Sequence, residues 1–267
     1  METNCRSQWK VAPRWVVVGA ALALAGCNSS NKHFVLVHGA WMGAWAWADV
    51  AAQLEAKGAS VQTVELPAHG ADTTPPTQVT LDSYVAAVVA AVDAAPAKPI
   101  LVGHSMGGVV ISQAAEQRAS KLAELVYVAG FLPKNGDSLQ SLSGADQGSH
   151  LGPALVINQS AGTASVPSAQ RQDIFCADCS TSELNTLQTN YRDEPLAPFG
   201  QPVQLTDANF GSVKKFYVYT SNDHAISYGF QQQMTTGVSL SASKVLATSH
   251  SPFLSDSEEV ATTLTGW

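Results

Sequence analysis

Charge is scarce in this 267-residue chain. Lys, Arg, Asp and Glu make up 13% of it, and the acids outnumber the bases 21 to 14. No long Lys/Arg run occurs, which argues against nucleic acid as a partner. The apolar run Trp15–Ala25 stops after eleven residues, whereas a membrane-spanning helix needs about 20. Only four cysteines are present. No second C-x-x-C and no nearby His cluster completes a zinc site around Cys176 and Cys179.

What the N-terminus does contain is organised. Arg6, Lys10 and Arg14 precede the Trp15–Ala25 run, which fits a secretory h-region. Leu24-Ala25-Gly26-Cys27 then resembles a bacterial lipobox, with cleavage before Cys27 and a lipid on its thiol. Residues 1–26 are therefore expected to be a signal peptide and 27–32 a short linker. Residue 28 is Asn and not Asp, which in a Gram-negative host points to the outer membrane. Cys176 and Cys179 form a C-x-x-C, open to use as a metal half-site, a redox pair or a local disulfide. An exported chain favours the disulfide.

Strands and helices alternate from His33 onward. HFVLVHG (33–39) is a continuous apolar run, as in a parallel strand buried on both faces. The pattern predicts a helix over 44–57, a strand over 60–66 and a Pro/Gly-rich loop. Thr80 is placed to cap the next helix. There Leu81, Tyr84, Val85, Val88, Val89 and Val92 make one apolar stripe. PILVGHS is a third strand, a helix follows Ser105, and 124–132 is a fourth strand. Residues 134–207 break the rhythm, being polar and rich in Ser, Gly and Gln. The sheet resumes at 214–221. A helix around 226–234, a short strand around KVLATS and a final helix from about Asp256 follow. The expected fold is α/β, a mostly parallel sheet with helices on both faces. Its core would be 33–133 and 208–267, with 134–207 a small cap over the carboxyl ends of the strands.

Gly103-His104-Ser105-Met106-Gly107 is G-x-S-x-G, set between a predicted strand and a predicted helix. That context makes Ser105 a candidate nucleophile on a strained turn. A serine hydroxyl needs a base, and the base needs an orienting acid. Downstream histidines are His150, His224 and His250. His150 lies in the cap, and His224 adjoins Asp223 too closely to be served by it. His250 follows a strand and precedes the last helix, so it is the candidate base. Asp223 is the only carboxylate on the loop after 214–221 and is the candidate acid. The amide of Met106 and one from the loop His38-Gly39-Ala40 are placed to hold an oxyanion.

Together these segments resemble one branch of the α/β-hydrolase fold. FVLVHGAWMGAWAW, LPAHG, GHSMGG, TSNDHAI and SHSPFLSDSEEV are similar, in order, to plant methyl esterases of the salicylate methyl esterase type and to plant hydroxynitrile lyases. The resemblance runs from about residue 33 to the C-terminus and is weakest in the cap. It implies Ser105 as nucleophile, His250 as base, Asp223 as acid, and the amides of Ala40 and Met106 as the oxyanion hole. The family's lyases carry Thr where this chain has Gly39 and Lys where it has Ser251, so ester hydrolysis through an acyl-enzyme is implied. Alternatives are lyase-like C–C cleavage or a lipid-anchored binding protein without catalysis. No metal or organic cofactor is required, and the expected partner is a small-molecule ester. Trp45 and Trp47 are expected in the core and Trp41 as a candidate pocket wall. Met42, where relatives often have His, is expected to make one side of the pocket more apolar.

Overall fold

The computed structural model describes residues 32–267. The signal segment 1–26, Cys27 and all but the last residue of the linker lie outside the described residues. The strands are β1 (His33–Val37), β2 (Ser60–Val64), β3 (Ile100–His104), β4 (Glu124–Val128), β5 (Val156–Asn158), β6 (Thr163–Ser165), β7 (Glu194–Pro195), β8 (Lys215–Thr220) and β9 (Leu240–Leu246). The helices are α1 (Ala48–Ala56), α2 (Leu81–Ala94), α3 (Gly107–Arg118), α4 (Leu139–Ala145), α5 (Leu151–Ala154), α6 (Ser168–Phe175), α7 (Thr181–Asn190), α8 (Ala197–Gly200), α9 (Tyr228–Thr235), α10 (Pro252–Ser255) and α11 (Ser257–Gly266).

Six strands make one parallel sheet in the order β2-β1-β3-β4-β8-β9. Strands β3 and β8 are buried at every position, which their runs of β-branched and aromatic residues allow. The edge strand β2 alternates between covered and open positions, while β9 exposes Ser243, Lys244 and Val245 in succession, and a lysine on an edge strand disfavours pairing with another chain. Helix α1 packs with α11, and α2 with α3. Thr80 caps α2 reciprocally: its hydroxyl accepts from Ser83 N at 3.2 Å, and Ser83 Oγ accepts from Thr80 N at 3.0 Å.

The chain runs from β1 outward to β2, then returns to place β3 on the other side of β1. Loops leaving β1 and β3 therefore diverge and open a crevice above their carboxyl ends, where open α/β sheets bind ligands. Residues 134–207 cover this edge with helices α4 to α8 and an antiparallel sheet, β5-β6-β7.

Some local expectations shift. The 44–57 helix opens with a 3-10 turn, Ala44–Trp47, before α1. Trp47 is fully buried against Phe253, 5.0 Å between ring centres, whereas Trp45 is only half-buried. On α2 the buried stripe takes in Ala91, and Val89 lies at its margin. The last strand begins at Leu240 rather than near Lys244. Its first half alternates Leu240 and Ala242, partly buried against the core, with exposed Ser241 and Ser243, and pairs with β8.

Candidate active site

Ser105 follows β3 directly and starts the turn into α3 with φ at +52°. A non-glycine residue there costs about 1–3 kcal/mol and persists only where its neighbours hold it. Ser105 N donates to Ala129 O at 3.2 Å, and Ser105 O accepts from Phe131 N and Gly108 N, both at 3.0 Å. The turn has no room for side chains beside the serine. A Cβ on Gly103 would lie 2.7 Å from Gly107 O, and one on Gly107 2.7 Å from His38 O. G-x-S-x-G is thus a packing requirement at this corner.

His250 and Asp223 meet directly. His250 Nδ1 lies 2.8 Å from Asp223 Oδ2, and both side chains are essentially buried. The carboxylate is fully partnered. Oδ1 accepts the amides of Ala225 and Ile226, each at 2.8 Å. Oδ2 also accepts from Thr220 Oγ1 at 2.8 Å and Gln231 Nε2 at 3.1 Å. Nδ1–H of His250 therefore points at the acid, and Nε2 is left with its lone pair. His104 supports this loop from the elbow, its Nε2 donating to His250 O at 2.9 Å. Burial, then the neighbouring His250, holds the His104 imidazole well below its ordinary pKa, so it stays neutral.

Loop 38–41 lies beside the elbow. Among the described residues, neither Ala40 N nor Met106 N donates a hydrogen bond within the protein. Both residues, with Ser105, line a cavity of about 550 Å³. Its other walls are largely apolar and come mostly from the cap, among them Leu139, Leu155, Ile157, Leu196 and Phe199. Trp41 lines it too; Met42 is buried and does not.

A family model described as the alpha/beta hydrolase family matches residues 34–263. The chain belongs to the alpha/beta hydrolase family. It is 30% identical over 237 residues to putative methylesterase 11, chloroplastic, of Arabidopsis thaliana, covering 84% of this chain and 61% of that protein. It is also 30% identical over 230 residues to methylesterase 8 of the same plant, 80% of this chain and 82% of that one. The solved structure of polyneuridine aldehyde esterase superposes with a TM-score of 0.80 at 23% identity, covering 88% of this chain and 98% of that one.

In this alpha/beta hydrolase the site has supports that carry no motif. Gly39 is not in a left-handed conformation; Trp41 is, with φ at +62°. Several contacts hold Trp41. Its amide donates to Glu194 Oε2 at 2.9 Å, its indole N–H to Ala164 O at 2.9 Å, its carbonyl accepts from Arg192 N at 3.2 Å, and its ring packs on Phe175 at 5.5 Å. All these partners come from residues 134–207, so the cap sets the backbone next to Ala40.

Glu194 is wholly buried on β7. Besides Trp41 N it takes His69 Nε2 at 2.7 Å and Tyr84 OH at 2.7 Å. His69 Nδ1 faces Pro67 O at 3.0 Å, so both ring nitrogens face acceptors and the imidazolium satisfies both. Burial pulls the His69 pKa down, but the charge and hydrogen bond of Glu194 outweigh it and raise the pKa. Because the folded value lies above the unfolded 6.5, the pair's stabilisation is complete below that pH and is lost as pH rises through the folded value. Glu194→Gln leaves either the Tyr84 hydroxyl or both Trp41 N and His69 Nε2 without an acceptor, depending on which way the amide turns. We expect it to destabilise the protein by about 1–3 kcal/mol. Urea midpoints measured on both sides of neutrality check this, and the wild-type advantage should shrink at alkaline pH.

The C-x-x-C also has a place. Cys176 and Cys179 are bonded to each other, with Cα atoms 5.1 Å apart. Asp178, between them, accepts Ser249 N at 2.9 Å, Ser249 Oγ, and Ser255 Oγ at 3.1 Å. The bridge thus presents a carboxylate that anchors the residue preceding His250.

Proposed function

We propose that this protein hydrolyses small carboxylic esters through an acyl-enzyme on Ser105. The observation that carries this reading is the buried Asp223–His250 pair beside a strained serine that opens into an apolar cavity. His250 Nε2 takes the Ser105 proton as Oγ attacks the ester carbonyl. Negative charge on the carbonyl oxygen is held by the free amides of Ala40 and Met106, each such donor being worth about 10²- to 10³-fold in rate. His250 then protonates the leaving alcohol, and water activated by the same imidazole releases the acid. Asp223 keeps the proton on Nδ1 and stabilises the imidazolium that forms between steps.

Two further observations favour this reading. The relatives reported above are named methylesterases, although the chain spans only 61% of the first one's length. A Cβ at residue 39 would lie 2.8 Å from Ser105 Cβ and 2.7 Å from His104 Nδ1, so this pocket is built around glycine and not around the lyases' threonine. The test is a panel of esters varied in acyl and alcohol size, run on wild type and Ser105→Ala. Activity falling off for acids too bulky for the cavity supports the reading. Cyanide release from mandelonitrile without turnover of p-nitrophenyl acetate would overturn it.

We also propose that the mature chain begins at a lipid-bearing Cys27 on a bacterial membrane. Metabolic palmitate labelling of the wild type, lost in Cys27→Ser, is the expected result; an unlabelled wild type refutes the anchor.

A further inference from the structure

Three polar side chains far apart in sequence converge on the surface where the cap meets the acid loop. His150 precedes α5, Asp173 is on α6, and His224 follows Asp223. His150 Nδ1 lies 2.8 Å from Asp173 Oδ2, and His224 Nδ1 lies 3.0 Å from Asp173 Oδ1. The two imidazole rings are 4.4 Å apart, centre to centre. Nitrogen and oxygen atoms from all three lie within 4.8 Å of one another. All three side chains are partly open to solvent.

We propose that His150, Asp173 and His224 form a binding site for one divalent transition-metal ion of the zinc type. Two imidazoles and a carboxylate are the donor set such ions prefer, and magnesium or calcium would need mostly oxygens. Zinc holds its ligands at about 2.0–2.2 Å in a tetrahedron, so the ligand atoms sit about 3.3 Å apart. The ligand atoms already lie within 4.8 Å of one another, and exposed side chains are free to rotate toward that spacing. Each ring needs only to carry its proton on Nε2, leaving Nδ1 for the ion. Solvent completes the fourth position. The framework is already tied: His150 N donates to His224 O at 2.8 Å, and Ser149 Oγ to Ala225 O at 2.7 Å. The ion would therefore staple the cap to the loop carrying Asp223. This site stands apart from the metal-free chemistry proposed for Ser105 and does not depend on it.

Tag-free protein stripped with chelator and titrated with zinc chloride near neutral pH tests the proposal by calorimetry and equilibrium dialysis. The expected result is one zinc ion bound per chain, a raised melting temperature, and affinity lowered at least about tenfold in both His150→Gln and Asp173→Asn. Affinity should also fall on acidification, because protons compete with the ion for the imidazole nitrogens. Cobalt in place of zinc should give the visible absorption of a tetrahedral ion in wild type and not in His150→Gln. Circular dichroism confirms that the variants are folded. If wild type takes up no zinc, or if His150→Gln binds it equally well, the cluster is a hydrogen-bonded contact only and the proposal fails.

Discussion

Ser105→Ala should lower kcat/KM for any ester substrate by about 10⁴- to 10⁶-fold, while the melting temperature stays close to wild type. The magnitude is that of removing a nucleophile from a triad whose binding site and oxyanion donors persist. Little structural change is expected, because alanine tolerates φ at +52° no worse than serine and the turn is held by backbone bonds to Ala129, Phe131 and Gly108. Stopped or initial-rate assays with p-nitrophenyl acetate measure it directly. A variant within tenfold of wild type would mean that Ser105 is a turn residue and that the scaffold binds ligands without covalent chemistry. The same assay thus separates the enzyme from a lipid-anchored binding protein.

Asp223→Asn should lower kcat by about 10⁴-fold with little change in fold. The direction follows from the partners of the two oxygens. Oδ1 accepts two backbone amides, from Ala225 and Ile226, so an asparagine must keep its carbonyl there. Its NH₂ then occupies the Oδ2 position, facing His250 Nδ1, Thr220 Oγ1 and Gln231 Nε2. His250 can meet that NH₂ only by accepting on Nδ1, which moves its proton to Nε2. The imidazole would then offer Ser105 a proton instead of a lone pair. Rates across pH, together with a near-unchanged KM, distinguish this tautomer effect from general unfolding. Equal rates in the variant would remove Asp223 from the mechanism.

Much of this site was legible because its chemistry is tied to local pattern. G-x-S-x-G announces itself, since Gly103 and Gly107 are required by backbones less than 3 Å from where their Cβ atoms would be. Asp223 and His250 could be picked out because each follows a strand of the sheet, and parallel strands bring their carboxyl ends to one edge. Position in the alternation stood in for position in space. The three-stranded cap sheet left no such trace, as β5 to β7 are two or three residues long and hold each other by pairing. Met42 is buried outside the cavity for a related reason. It sits one residue beyond Trp41, whose left-handed turn sends the two side chains to different surroundings.

What the sequence by itself determined is the α/β rhythm, the elbow, and the candidate acid and base, because strand burial, turn sterics and chain order are written in neighbouring residues. Only the tertiary structure decided how the loop after β1 is held and where a metal could bind. Glu194 reaches Trp41 across 153 positions and His69 across 125. Asp173 meets His224 across 51. No periodicity links such residues. Their partnership arises when the cap settles on the sheet; for Glu194 it is obligatory, because a buried carboxylate must find donors wherever folding places them.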